Sequence, residues 1–512
     1  MLIKKAGQYD VVVVGGGLSG MYAAIEASKY GATVAIISKK KTGKSGSSVV
    51  SKSIHRFSSK DSSLKIDYFN KAIGAGRFIN DKALMTVLID NGSDSVENLL
   101  SYLPNLYLNK KNSDGILYSN IAYHNPKKGF FITSKIREYI DKHTCISIFD
   151  GFTGVEIMTR NDSVCGLIVE KNNDLQYFSA KSIILATGGY AYIYKETSTT
   201  NDETGDGIAM ALRKGLSTVD MEFVQFYPYR VVFPAIHDIF PNLFSEGAIF
   251  VNEKNERFME NFPKKELENR DILAREIFKQ KEVFLNLDMC STSYLLKESP
   301  ELLEIVKNHP GKPLKVVPKA HFTMGGMRIQ SDCSTDLDGL FACGEVTGGL
   351  HGANRLAGYA LTETAVFGPI AGRNAALYAQ NRIHGDIIPE APFLPQAGQD
   401  DIKAIKRQLR DMMWKKVGIV KSEEGLLEAK SVIIELKAKL EKTQPSSLKD
   451  WIETYNMLIL ADVMTESSLL RKESRGAHFR SDYPLEDDNY LGNFVYQQGS
   501  WVQMVFETPP EP

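Results

Sequence analysis

Gly348-Gly-Leu-His-Gly-Ala-Asn-Arg355 sets a His, an Asn and an Arg just ahead of Leu-Ala-Gly-Tyr-Ala-Leu361, which reads as the start of a helix. A guanidinium presents a planar fork of N–H donors matched to a carboxylate, and a helix N-terminus adds about half a positive charge. At the other end of the chain, Asp10-Val-Val-Val-Val-Gly-Gly-Gly-Leu-Ser-Gly20 makes a second constellation. Gly15, Gly17 and Gly20 fit G-x-G-x-x-G: one glycine for the turn, one for close approach of a pyrophosphate, one for helix–strand packing. Together the two motifs imply a dinucleotide and a charged small molecule held against it.

The elements that position these residues follow from local pattern. Val11–Val14 is a β-branched run typical of a buried parallel strand, and Ser19 to Tyr30 reads as a helix with Ala23, Ala24 and Ala27 on one face. Thr33–Ile37 supplies a second strand. Ser38 stands where an acidic residue would bind a ribose. Lys39-Lys-Lys-Thr-Gly-Lys-Ser45 imitates a phosphate loop, but the first glycine of G-x-x-x-x-G-K-S falls at Ser38, which rejects a nucleotide triphosphatase. The four lysines read as a solvated loop, part of it near cofactor phosphates.

Composition bounds the class. At 512 residues and 43% hydrophobic the chain has material for two or three domains. Its net charge of −1 gives no electrostatic case for nucleic acid or an anionic membrane. The five cysteines form no C-x-x-C pair, which fits a reducing, cytoplasmic setting and argues against a metal or iron–sulfur site. No apolar stretch reaches spanning length, and the glycine cluster inside the N-terminal apolar run argues against a signal peptide.

Farther along, Ser182-Ile-Ile-Leu-Ala-Thr-Gly-Gly189 is another apolar strand, and Thr204-Gly-Asp-Gly207 opens a helix through Leu212. Asp336–Glu345 returns to strand character, and a proline-rich linker occupies Ile387–Gln396. Asp401–Lys442 and Leu448–Arg471 show helical periodicity. The expected class is α/β: a Rossmann-type cofactor domain (1–220 and 319–385) interrupted by an α+β capping domain (221–318). A helical C-terminal domain (398–485) and a tail (486–512) follow.

Taken in order, the motifs resemble the flavoprotein superfamily of fumarate reductase, succinate dehydrogenase and L-aspartate oxidase. They are GGGLSG (15–20), ATGG (186–189), TGDG (204–207), MEFVQF (221–226), ERFM (256–259), NRDILAREI (269–277), HFTMGG (321–326), GLFACGE (339–345) and HGANR (351–355). MMWKKVGIV (412–420), RKESRGAHFRSDYP (471–484) and Ser38-Lys39 look most like L-aspartate oxidase. The resemblance covers nearly the whole chain and implies FAD bound across the split domain.

It also implies roles. Arg275 matches the arginine that passes a proton to or from substrate carbon, with Glu246 as a candidate relay; His321 and Arg355 match a carboxylate clamp. Expected cofactor contacts are Gly15, Gly17, Leu18, Ser19 and Gly20 at the turn, and Ser38, Lys39, Ser45, Ser47 and Ser48 beyond the second strand. Thr187, Gly188, Asp206, Gly344, Glu345, Arg355, Ala360 and Leu361 complete the set, with Glu345 on the sugar portion of FAD. The helix near Ala360 would face the negative charge that a reduced flavin carries.

Departures narrow the function. The His-Pro-Thr that follows MEFxQ in the family is replaced here by Tyr227-Pro-Tyr229, and Phe-Pro-Asn-Leu-Phe (240–244) stands at the Thr-Glu signature. Ser119–Gly129 contains no acidic residue to receive a substrate amine. One end of the substrate is therefore expected to be a clamped carboxylate and the other less charged, facing the Tyr227 hydroxyl and apolar surface. Ser47, at the place of the attaching His before the family's V-A-A-Q-G-G loop, implies noncovalent FAD. Three readings stay open, with the electron acceptor unassigned: an oxidoreductase acting beside a carboxylate and distinct from a standard succinate, fumarate or aspartate enzyme; a fumarate reductase-like electron-transfer subunit or L-aspartate oxidase proper; and a retired flavoprotein kept as a binding subunit.

Overall fold

The computed structural model describes residues 3–103 apart from 59 and 61, then 109–113, 116–120, 128–385 apart from 240, 401–443 and 445–504. The linker reading at 387–396 and most of 119–129 lie outside those residues.

The valine run does what β-branched residues favour. Lys4–Val14 is the strand on which a seven-stranded sheet is built, with Val11–Val14 buried. Val34–Ser38 pairs with it in parallel on one side and Asp174–Leu185 on the other, so that Val13 faces Ile36 and Ile184. Ser147–Asp150 extends the parallel order beyond Val34–Ser38. Ser163–Lys171 and Thr153–Arg160 add antiparallel strands, and Leu340–Ala342 returns late in the chain to pair in parallel with Asp174–Leu185. The helix Leu18–Lys29 follows the glycine turn and packs against the long helix Tyr359–Gln380. Gly372 makes that contact close, since a Cβ there would sit 2.2 Å from Ala23 O.

The capping segment has its own core, from Tyr227 to Val316. Its five-stranded antiparallel sheet runs His237–Asp238, Arg230–Phe233, Leu314–Val316, Val283–Asn286, Ile249–Asn252. A two-stranded ribbon, Val224–Tyr227 with Lys319–Thr323, carries the chain into and out of this segment. Both ribbon strands carry site residues.

The C-terminal helices are Ile402–Lys416, Glu423–Glu441 and Leu448–Leu470, packed on one another. The stretch of helical periodicity over 401–442 forms two helices, separated at 417–422. Ser422 caps the second helix by accepting from the Gly425 amide at 3.2 Å. The segment expected as a tail is also different. Asn493–Gln497 and Ser500–Met504 form a hairpin whose first strand pairs with Thr218–Val219. No helix among the described residues is long and apolar enough to cross a membrane.

Candidate active site

A cavity of about 460 Å³ runs from the glycine turn to the capping ribbon, within the usual range for small-molecule and cofactor sites. At its closed end the backbone is tight. Gly15 adopts φ +127°, and a Cβ there would lie 2.0 Å from Ala186 O; one on Gly20 would lie 2.1 Å from Gly15 O. The helix Leu18–Lys29 begins at Gly17 on this wall, so its N-terminal amides and dipole face the space where a pyrophosphate would sit.

The wall also suits the rest of a flavin dinucleotide. Thr187 Oγ1, Arg355 Nε and both carboxylate oxygens of Glu203 are buried without a hydrogen-bond partner among the described residues, and all three residues line the cavity. Burial raises the Glu203 carboxyl to about 7, although nearby Ser47 and Lys39 draw it back. Glu345 accepts from the Thr323 amide and hydroxyl at 3.0 and 3.3 Å; burial, then Glu203, raise its pKa. Two carboxyls so placed offer acceptors for sugar hydroxyls. Gly358, at φ +90°, caps the 22-residue helix Tyr359–Gln380, and Ala357, Gly358, Ala360 and Leu361 at its N-terminal end line the same space.

At the capping end Arg270, His321, Arg355, Tyr227 and Lys52 share the wall. Gln225 Oε1 accepts from Arg355 Nη2 at 2.8 Å and from Arg270 Nη1 at 3.3 Å, while its amide nitrogen donates to Arg355 O at 2.7 Å. Arg355 also lies over the Phe322 ring at 4.3 Å. Burial and then Arg270 lower its pKa to about 9. His321 Nδ1 meets Ser198 Oγ at 2.8 Å. Burial, followed by Arg355 and Arg270, pulls the His321 pKa well below its usual value, so the ring is neutral at physiological pH. The buried Arg355, the half-buried Arg270 and a neutral imidazole around one space make a site suited to an anion.

The expected site residues separate into those on the wall and those off it. Gly15, Gly17, Leu18, Ser19, Ser38, Lys39, Ser45, Ser47, Ser48, Thr187, Gly188, Asp206, Glu345, Ala360 and Leu361 line the cavity. Gly20 and Gly344 are set back: the first closes the helix–strand contact, and a Cβ on the second would meet Ser19 Oγ at 2.8 Å. Lys39 departs from the solvated-loop reading. Its side chain is only 14% exposed and its ammonium pairs with Asp206 at 2.7 Å and Glu453 at 3.2 Å.

Three corrections concern the reacting end. Arg275 does not reach the cavity; its guanidinium lies over the Phe479 ring at 4.4 Å and beside Glu276 at 3.7 Å. Arg270 reaches it instead, because five residues along an α-helix rotate a side chain by about 140°. Glu246 is exposed on the surface beside Cys290 and Tyr294, away from the cavity. The Tyr227 hydroxyl donates to Ile239 O at 2.8 Å, so it is already committed. Arg270, Gln225, Glu203 and Lys52 were missed from the sequence. Arg270 opens the same R-D motif as Arg275; Gln225 lies in MEFVQF; Glu203 directly precedes TGDG; and Lys52 is the only charge in Ser45–Ser53.

A nucleotide cradle on a mixed sheet, joined to a cationic pocket under a cap, fits a dinucleotide-dependent enzyme. Comparison with known families makes this specific. A family model described as FAD binding domain matches residues 10–361, and one described as fumarate reductase flavoprotein C-term matches residues 406–507. The chain belongs to the FAD-dependent oxidoreductase family of fumarate reductase flavoproteins and L-aspartate oxidases, and FAD is its cofactor. It is 32% identical to a subunit of the Fumarate reductase (CoM/CoB) of Methanothermobacter marburgensis, over 93% of this chain and 94% of that one. It is also 32% identical to an L-aspartate oxidase of Saccharolobus solfataricus, over 93% and 96%. Among solved structures, Mycobacterium smegmatis Sdh1 in complex with UQ1 superposes with a TM-score of 0.87 at 26% identity, covering 100% of this chain and 96% of that one.

Proposed function

We propose that this protein transfers a hydride between FAD and a carboxylate-bearing small molecule, oxidising a C–C or C–N bond beside the carboxylate or reducing the corresponding double bond. The observation that carries the reading is the pair of guanidiniums, Arg270 and Arg355, fixed on one Gln225 oxygen beside neutral His321. FAD, when bound, supplies the two-electron chemistry.

The chain's own residues do the rest. Arg355 and His321 bind the carboxylate and orient the adjacent carbon, and alignment of this kind is worth several kcal/mol in a reaction barrier, up to about 7–11. Arg270, on the wall where Arg275 is not, holds or delivers the proton at that carbon. The Tyr227 ring lies 5.3 Å from the Arg270 guanidinium and 5.0 Å from His321, and the cap built around it keeps water from the carbon. Ser47 in place of an attaching histidine supports noncovalent FAD. Equal 32% identity to an aspartate oxidase and to a fumarate reductase subunit leaves the substrate to the site and not to the relatives.

The test is anaerobic mixing of the FAD-loaded protein, oxidised and reduced in turn, with a panel of saturated, unsaturated and amino carboxylates. A change in flavin absorbance with at least one acid is expected, and silence across a broad panel in both directions would refute the reading. The relative named as part of a fumarate reductase favours a second reading, an electron-transfer subunit. Stable co-purification with a cysteine-rich partner would support it.

A further inference from the structure

The chain neighbours of the two clamp arginines meet each other. Arg270 opens the cap helix Arg270–Lys279, and Asp271 follows it in the first turn. Asn354 precedes Arg355 in the loop ahead of the helix Tyr359–Gln380. Asn354 Nδ2 donates to Asp271 Oδ1 at 3.1 Å. Neither residue lines the large cavity; with Gln225 and Arg275 they line a separate recess of about 10 Å³. The reading above gives this pair no role.

The direction of these bonds matters more than their number. A carboxylate only accepts, whereas a primary amide accepts at one end and donates at the other. Asp271 draws the Asn354 NH2 toward itself, which turns Asn354 Oδ1 to Gln225. Gln225 Nε2 donates to that oxygen at 3.0 Å and to Arg355 O at 2.7 Å. Gln225 Oε1 is thereby left for Arg270 Nη1 at 3.3 Å and Arg355 Nη2 at 2.8 Å. With Asn354 reversed, two NH2 groups would face each other, and Gln225 would lose one of the two acceptors that hold it.

We propose that Asp271 is a positioning residue: acting through Asn354 and Gln225, it sets the orientation in which Arg270 and Arg355 receive a substrate carboxylate. This rests on the proposed function, since it presumes that carboxylate at the clamp. Asp271 does not reach the substrate space. It ties the cap helix that carries Arg270 to the loop that carries Arg355, and so fixes one guanidinium relative to the other.

The surroundings of Asp271 supply donors and no substitute acceptor. Burial raises its pKa, and Arg77, its own amide, Arg275 and the Ile272 amide oppose the rise. None of those four groups can accept from Asn354 in its place. Asp271→Asn keeps the volume but can turn either an oxygen or an NH2 toward Asn354, so the polarity of the chain of bonds is no longer specified. Exchanging the two residue types restores it. In Asp271→Asn/Asn354→Asp the carboxylate at the second position accepts from the new amide with one oxygen and from Gln225 Nε2 with the other.

The experiment titrates FAD-loaded protein anaerobically with acetate, butyrate, crotonate and succinate, read by flavin absorbance, and compares variants with the acid that binds the unmodified protein most tightly. Asp271→Asn should keep its FAD and raise that Kd about fivefold or more, the scale of a lost hydrogen bond to a charged group. Asn354→Asp, which sets two carboxylates against each other, should raise it as well. The double variant Asp271→Asn/Asn354→Asp should return to within about twofold of the unmodified protein, and in a Gln225→Leu background Asp271→Asn should change Kd by less than about twofold. An unchanged Kd in Asp271→Asn, a double variant no better than either single one, or an undiminished effect in the Gln225→Leu background overturns the positioning role and leaves the clamp standing. If Asp271→Asn loses its FAD, the double variant decides: recovery of FAD and acid binding supports the role, and continued loss overturns it. Failure of every acid to bind the unmodified protein overturns the carboxylate clamp and this inference together.

Discussion

Arg270 and Arg355 donate to the same atom, Gln225 Oε1, at 3.3 and 2.8 Å. Two like charges are held together by one neutral amide, and each depends on the other's position. Gln225 is buried and anchored to Arg355 O and to Asn354, so the guanidiniums are set before substrate arrives. Gln225→Leu keeps volume but removes the acceptor. Its expected effect is a rise in carboxylate Kd with FAD affinity unchanged, measured by titrating flavin absorbance; an unchanged Kd would dissociate this amide from the clamp.

Arg355→Ala should weaken carboxylate binding by roughly ten- to a hundredfold, the scale of a lost charge-assisted contact. The variant keeps its FAD if the glycine turn and the carboxyls carry most of the cofactor affinity. Isothermal titration of both ligands separates the two effects, and loss of FAD with intact carboxylate binding would reverse the assignment.

Acid precipitation should release the flavin into the supernatant as FAD, because Ser47 has no ring nitrogen with which to form a link. Colour that stays with the precipitate contradicts noncovalent binding, and FMN in the supernatant contradicts the dinucleotide cradle.

The cofactor half of the molecule was legible because its signals are local. A valine run, three spaced glycines and an alanine-faced helix specify strand, turn and helix without knowledge of distant partners. The reacting end was legible only as a set of candidates. Arg270 and Arg275 stand in one motif, and which of them faces the cavity depends on how the helix Arg270–Lys279 is rotated against the cap. Lys52 meets the cap at the Asp238 carbonyl, 186 positions away, a distance no local pattern spans. The hairpin after residue 492 pairs with Thr218–Val219, again a long-range match that reads as a tail in isolation.

Arg471 ties the C-terminal region to the capping ribbon's approach. It is fully buried and bonds Glu222 at 2.6 Å and Glu473 at 2.8 Å, as well as the carbonyls of Tyr490 and Gly492. Arg471→Met strands the buried Glu222 carboxylate, while Glu473 keeps Arg475 at 2.8 Å; the loss should cost about 3–5 kcal/mol in chemical denaturation. A loss below about 1 kcal/mol, the scale of an exposed pair, would mean that the network is solvated in solution.

His478 is buried, its Nε2 facing Arg471 O at 3.3 Å, and burial with Lys421 and Arg471 keeps its pKa well below the usual value. The unfolded chain takes up a proton at this residue below about pH 6.5 and the folded chain does not, so stability is lost as pH falls. The slope is up to about 1.4 kcal/mol per pH unit for one such group. His478→Gln, which retains an N–H donor, should lose less stability than the unmodified protein between about pH 6.5 and 5. Parallel pH profiles for the two would contradict a neutral His478.

The most direct test of the account compares flavin–substrate electron transfer in Arg270→Lys and Arg275→Lys by anaerobic stopped-flow, with the acid that responds best in the unmodified protein. Arg270→Lys should keep its FAD and slow the reaction by about a hundredfold to ten-thousandfold, the usual share of acid–base transfer, while Arg275→Lys stays near the unmodified rate. The opposite pattern, with Arg275→Lys slow and Arg270→Lys normal, would contradict the placement of Arg270 at the reacting carbon.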